Sequence, residues 1–208
     1  MEYPKIETLF KRDENFKVIP TELRNPCVSL IKTWQFTEKI DGTNIRLIWK
    51  DKKLSIGGSA DFAQLSTSLV TYLYDSVNLN KLEELFPGTD AIIYGEGCGA
   101  GIQKNGGYYN KAKHFVVFDV LVNNYWLDWN NVCDVANKLA LQTVPFLGEM
   151  SLQKGVKLVK TGFNSILAQQ NTGTLCLAEG LVGRTREPLY DKFFKRLIIQ
   201  LKAQDFRK

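Results

Sequence analysis

The residues of this 208-residue chain that could do chemistry are lysines and carboxylates set beside glycines. The string Glu38-Lys39-Ile40-Asp41-Gly42-Thr43-Asn44 puts a lysine two residues before an Asp-Gly pair, where an apolar strand pattern begins. Three more charged positions fall at the end or inside of strand-like runs: Glu96 in Tyr94-Gly95-Glu96-Gly97, Glu179 in Ala178-Glu179-Gly180-Leu181-Val182, and Lys202 in Gln200-Leu201-Lys202. An acid among apolar strand residues is costly to bury unless it meets a cation or hydrogen-bond donors. Phe118, in Val116-Val117-Phe118-Asp119, adds a ring that can stack on a base.

Other chemistries are hard to assemble from what remains. His114 is the sole histidine, which removes the usual Ser-His-Asp, Cys-His and multi-histidine metal sites. Cys27, Cys98, Cys133 and Cys176 form no C-x-x-C pair and read as reduced thiols rather than zinc or redox ligands. The Gly-rich run Gly95-Glu96-Gly97-Cys98-Gly99-Ala100-Gly101 never gives G-x-G-x-x-G, and no G-K-[ST] occurs, so by itself it reads as a flexible loop at a strand end. A net charge of +5 and a pI near 8.9 permit a polyanionic partner without demanding one. No apolar run approaches membrane-spanning length and the N-terminus lacks a signal-peptide pattern, so a cytoplasmic protein with no membrane partner is expected.

These residues need strands to present them. Ile45, Leu47 and Trp49 alternate with polar neighbours between Glu38 and Trp49, and the charged turn 50–53 leads into Leu54 and Ile56, which predicts a hairpin. Phe62, Leu65, Leu69, Leu73 and then Leu82, Leu85, Phe86 recur at helical spacing, giving two helices before Pro87-Gly88. Strands are expected at 91–96 and 115–122. A helix over 129–141 has Asp128 as N-cap, and one over 151–159 stops near Gly162. Strands return at 175–184 and 196–202, while residues 1–35 read as an irregular segment. Hairpins interleaved with helices indicate an α+β fold of mainly antiparallel sheets. No linker or repeat breaks the chain, so residues 1–208 are expected to form one domain.

In order and spacing the motifs resemble the covalent nucleotidyltransferase superfamily of polynucleotide ligases and capping enzymes, most closely the RNA ligase 2-like branch of short, phage-type RNA ligases. The residues carrying the resemblance run from Tyr3-Pro4-Lys5-Ile6 through the Lys39 string, Tyr94-Gly95-Glu96-Gly97, Gly101-Ile102-Gln103-Lys104, Phe118-Asp119-Val120 and Glu179-Gly180-Leu181-Val182 to Leu201-Lys202-Ala203-Gln204-Asp205-Phe206. It implies an ATP-grasp-like adenylylation domain and an ATP-dependent RNA ligase, of use in RNA repair, that seals 5′-phosphate and 3′-hydroxyl ends. Lys39 would attack the α-phosphate of ATP to form lysyl-AMP. Asp41 would touch the ribose or a metal-bound water, and Asn44 would help organise that metal shell. Glu96 would take a ribose hydroxyl, Phe118 would stack on adenine, Glu179 would bind metal through water, and Lys202 would contact the α-phosphate. Glu38, Ile40, Asn44, Glu96, Phe118 and Gln200 make up the implied nucleotide-binding set, and Asp41, Glu96 and Glu179 the implied ligands of Mg²⁺ or Mn²⁺, largely through water.

Physical chemistry suits these types. A free lysine has a pKa of about 10.4, so at pH 7 only about one in a few thousand is the neutral amine able to attack. A nearby divalent cation and a desolvated pocket both favour that form, whereas bare carboxylates favour the ammonium. The three acids therefore fit metal binding better than neutralisation of Lys39. Two positions depart from the pattern: Gly57-Gly58-Ser59 stands where relatives carry Gly-Gly-Arg, and Gln200 where they carry a lysine. Each removes a charge expected near phosphates. From the short flanks of the motif region, no appended OB or helical domain is expected. The expectation is a monomeric catalytic domain that grips RNA, preferably nicked or bridged, through Lys104, Lys111, Lys113, Arg184 and Arg186. A capping guanylyltransferase, a DNA ligase and a non-catalytic end-binding protein with a decayed ligase fold are the alternatives.

Overall fold

A computed structural model describes residues 1–207. The chain folds into two compact units: one holds Met1–Pro4 and Asp41–Val144, the other Lys5–Ile40 and the residues from Pro145 onward. No Pro-, Gly- or Ser-rich stretch marks the crossings, the second of which falls between Ile40 and Asp41, inside the lysine string.

In the first unit a sheet runs in the order Gln142–Thr143, Lys113–Val122, Ala91–Gly99, Thr43–Lys50, Lys53–Gly57, with Tyr125–Trp126 also paired to Lys113–Val122. All its pairings are antiparallel except that of Gln142–Thr143. The expected hairpin is present, and Asp51 and Lys52 take positive φ in its turn (49° and 58°). Ile45, Leu47 and Trp49 are buried, with Leu69 and Leu73 of the helix Thr67–Ser76 among the other core residues. Phe62 and Leu65 lie outside that helix, and Phe62 is fully exposed: apolar spacing alone extended the helix too far. The helix Trp129–Lys138 starts where expected, with the Asp128 carboxylate accepting from Asn131 N at 3.0 Å.

The second unit has a five-stranded sheet in the order Glu7–Thr8, Ile198–Lys202, Gly180–Arg184, Trp34–Lys39, Phe146–Met150. One face of it is apolar. Trp34, Phe36, Leu181, Ile199 and Leu201 pack with Leu152 and Val159 of the helix Leu152–Thr161. That helix runs from its Ser151 cap to Gly162, as its sequence predicts. A Cβ on Gly155 would come within 2.6 Å of the Phe36 ring, so glycine there lets the helix lie flat on the sheet.

Residues 1–35 are more regular than their sequence suggests. Glu7–Thr8 pairs in parallel with Ile198–Lys202, and Phe10–Arg12 forms a hairpin with Val18–Leu23. Their patterns are too short for a period to show. The strand expected at 175–184 begins only at Gly180, and a helix, Ile166–Thr172, precedes it. No helix among the described residues is long and apolar enough to cross a membrane.

Candidate active site

Strand alternation decides what Lys39 and its neighbour do. Gly180 lies directly opposite Lys39 on one side and opposite Lys202 on the other. Cross-strand partners share a face, so the two lysines stand on one face, two strand spacings or about 10 Å apart. The neighbouring strand comes so close that only glycine fits at 180: a Cβ there would run onto the Leu201 carbonyl. Lys39 Nζ donates to Glu179 Oε2 at 2.7 Å, with the two side chains 21% and 27% exposed. The ammonium is thus held at the rim of a partly open surface. Next along that face, Gln200 Nε2 donates to the Ile6 carbonyl at 2.6 Å. The missing lysine of the last motif is replaced by an amide that binds the N-terminal strand.

Glu38 projects onto the opposite, apolar face and is 1% exposed. Its carboxylate accepts from Ser165 Oγ at 2.5 Å, Ile166 N at 2.9 Å and Leu167 N at 3.1 Å. These are the open amides of the first turn of the helix Ile166–Thr172. Burial pushes the carboxyl above the ordinary carboxylate range, and the Ser165 hydroxyl and the two amides pull it part of the way back. The Glu38 side chain is committed in this way, and its backbone N donates to the Pro145 carbonyl at 2.8 Å. Ile40 is buried.

The other implied residues lie in the first unit. Asn44 sits opposite Glu96 in the sheet. Gly42 presses on both Glu96 and its strand: a Cβ would come within 2.7 Å of Glu96 Cγ and onto the Gly97 carbonyl. Gln103 Nε2 donates to the Gly42 carbonyl at 3.1 Å, and the Tyr109 hydroxyl accepts from Asp41 N at 3.4 Å. Gln103, in Gly101-Ile102-Gln103-Lys104, thus fastens the Asp41-Gly42 turn. The Asn44 Oδ1 is buried without a hydrogen-bond partner. Buried acceptors are nearly always satisfied, so this one is suited to a donor or a cation that arrives with a ligand.

Gly95, Gly97 and Gly99 belong to the strand Ala91–Gly99 and not to a loop, because neighbours fill the space of each missing Cβ: the Phe115 ring, Leu69 with Ile45, and the Ala112 carbonyl. Beside them Cys98 is pushed up to about 12, by burial first and then by the Glu96 charge, so it is a poor nucleophile at neutral pH. Phe118 lies at a bulge. Tyr94 pairs with Asp119 and Gly95 with Val117, which leaves Phe118 unmatched and re-aims it. Tyr3 packs edge-on against it at 5.0 Å and donates from its hydroxyl to Asp119 Oδ2 at 2.8 Å, an aromatic contact that sequence spacing could not reveal.

Among the described residues no three His, Cys, Asp or Glu side chains gather into a metal-holding group. Asp41 and Glu96 lie in the first unit and Glu179 in the second. Of the expected RNA-binding cations, Arg184 is 2% exposed and so not part of a surface; Arg186 pairs with Glu149, and Lys113 donates to the Ala100 carbonyl. Ser59 is exposed. Beneath its turn, Arg46 donates to the Gly58 carbonyl at 2.7 Å and to Asp61 at 2.9 Å.

A family model described as RNA ligase matches residues 32–199. The fold is similar to that of a Naegleria gruberi RNA ligase mutant solved with ATP and Mn, at a TM-score of 0.68 and 15% identity over 99% of this chain and 58% of that one. It is also similar to an archaeal ATP-dependent RNA ligase, at 0.67 and 14% over 99% of this chain and 49% of that one. The chain therefore spans about half to three fifths of the length of these relatives. No curated protein matches it.

Proposed function

The chain belongs to the RNA ligase family, and we propose that it joins RNA 5′-phosphate and 3′-hydroxyl ends in an ATP-dependent reaction that passes through lysyl-AMP at Lys39. The observation that carries this reading is the Lys39 ammonium, held by Glu179 at 2.7 Å on the same sheet face as Lys202, with Gly180 opposite both. Two lysines on one face, each opposite the same glycine, suit a phosphate.

In the first step the neutral Lys39 amine attacks the α-phosphorus of ATP, the bond to the β-phosphate oxygen breaks, and pyrophosphate leaves. An oxygen of the RNA 5′-phosphate then attacks the same phosphorus and releases the lysine. Finally a 3′-hydroxyl attacks the adenylylated end, AMP leaves, and the strand is sealed. Lys202 supplies fixed positive charge where charge gathers on the α-phosphate. The ion pair with Glu179 positions Lys39 before ATP arrives and must open for the proton to leave. Asp41, Glu96 and Glu179 would hold a Mg²⁺ or Mn²⁺ ion, chiefly through water, and its charge favours the neutral amine and offsets that on the phosphate. Asn44 offers its unsatisfied carbonyl oxygen, Glu96 a ribose contact, and the re-aimed Phe118 a face for adenine.

The test is intact mass after incubation with ATP and Mg²⁺ or Mn²⁺, followed by sealing assays. The expected results are a gain of one AMP that maps to Lys39 and is lost in Lys39→Ala, and sealing of nicked or bridged RNA in preference to unbridged strands. An adduct on another lysine, or none, overturns the reading.

A further inference from the structure

Residues 185–197 connect Gly180–Arg184, which follows Glu179, to Ile198–Lys202, which ends in Lys202. They form an ordered hairpin. Leu197 N donates to the Leu189 carbonyl at 2.7 Å, Tyr190 bridges Arg196, and Asp191 N donates to the Lys195 carbonyl at 2.9 Å. At the tip, Asp191 Oδ1 accepts from Phe193 N at 2.8 Å and Lys195 N at 3.0 Å, while Phe194 takes a φ of 59°. The tip is thus closed by its own backbone and one carboxylate. Its rings stay out in water: Phe193 is 69% exposed and Phe194 89%, with Leu189 and Tyr190 also exposed. Lys192 Nζ lies 5.0 Å from the Phe193 ring centroid, and Lys195 follows Phe194 directly. Packing within the chain does not explain two adjacent exposed phenyl rings on a held turn.

Resting on the RNA ligase reading above, we propose that this tip is a stacking platform for unpaired RNA nucleotides, with Phe194 beneath a base and Lys192 and Lys195 on neighbouring phosphates. Aromatic faces interleaved with cations bind single strands with little regard to sequence. Continuity favours RNA over a lipid surface: Phe194 at the tip lies about 26 Å along the chain from Lys202, at about 3.3 Å per residue. That is a span of a few nucleotides from the phosphate chemistry proposed there.

The test uses the whole chain and two fluorescent probes, a short single-stranded RNA and the same sequence fully paired, with binding followed by anisotropy. The expected result is that Phe194→Ala weakens binding of the single strand by about 5- to 100-fold. The duplex is expected to change by less than twofold, and Phe194→Trp to restore the single-strand affinity. Lys192→Ala and Lys195→Ala are each expected to lower the salt dependence by about one phosphate contact. Equal affinity of Phe194→Ala and parent for the single strand overturns the proposal. So does loss of binding to phosphatidylserine–phosphatidylcholine vesicles in Phe194→Ala with RNA affinity retained, which assigns the tip to a membrane. Adenylylation by ATP, which needs no RNA, is measured alongside. A parent that forms no lysyl-AMP defeats the ligase reading, while the anisotropy comparison still decides the hairpin.

Discussion

The two units treat the implied site residues in opposite ways. In the second, every implied site residue whose contact is resolved is already engaged: Lys39 with Glu179, Glu38 with the first turn of Ile166–Thr172, Gln200 with Ile6. In the first, Asn44 Oδ1 is buried and unsatisfied, Gly42 is pressed against Glu96, and Phe118 has been thrown out of register by a bulge. A charged nucleophile needs a partner while it waits, since a bare ammonium at a half-buried rim would be costly. A recognition surface works the other way, keeping an acceptor unpaired so that a ligand can complete it. On the proposed reading, the difference separates a held reactant from a prepared receptor.

The contrast can be broken most severely at the carboxylates. Asp41→Ala, Glu179→Ala and chelation with EDTA are each expected to cut adenylylation by orders of magnitude, read as the rate of AMP adduct formation by mass. If Glu179→Ala instead speeds the adduct, then Glu179 only restrains Lys39.

Glu38 gives the next largest effect, and it is on stability. Glu38→Ala leaves the buried Ser165 hydroxyl and the Ile166 and Leu167 amides without their acceptor and is expected to cost about 1 to 3 kcal/mol in urea unfolding. The sign of the pH dependence follows from burial. The folded-state pKa lies above the ordinary 4.5, so the folded protein binds the proton more tightly. Stability present below 4.5 therefore falls as the pH rises through the folded value. In Glu38→Gln that component of the slope is expected to vanish across the acid-to-neutral range. An unchanged slope means that Glu38 is not the group responsible.

The smallest effect sharpens the comparison at Gln200. Gln200→Lys places a cation beside Lys202 but removes the bond to Ile6, a loss of about 0.5 to 1.5 kcal/mol. The expected outcome is a small fall in melting temperature with at most a modest gain in single-turnover adenylylation. A large gain with no loss of stability would show that the N-terminal strand does not depend on that amide.

Much of this was legible in the residues because it is local. The hairpin at Asp51-Lys52, the Asp128 and Ser151 caps and the Gly162 stop depend on neighbours a few positions away. The motif order likewise sufficed to point to the ligase fold, since it needs only types and spacing. What spacing could not say is which residue stands opposite which. The alternation of a strand requires Glu38 and Lys39 to face opposite ways, but only the pairing with Gly180–Arg184 makes one face apolar and the other polar. The contacts of Glu38 with Ser165, 127 positions on, and of Gln200 with Ile6, 194 positions back, arise from chain segments that meet only in the folded sheet. Arg184, expected at the surface, was buried by the same long-range register. Composition and spacing pointed to the proposed chemistry; long-range pairing decided which of the implied side chains are buried or hydrogen-bonded, because burial and hydrogen bonding depend on what the rest of the chain brings alongside.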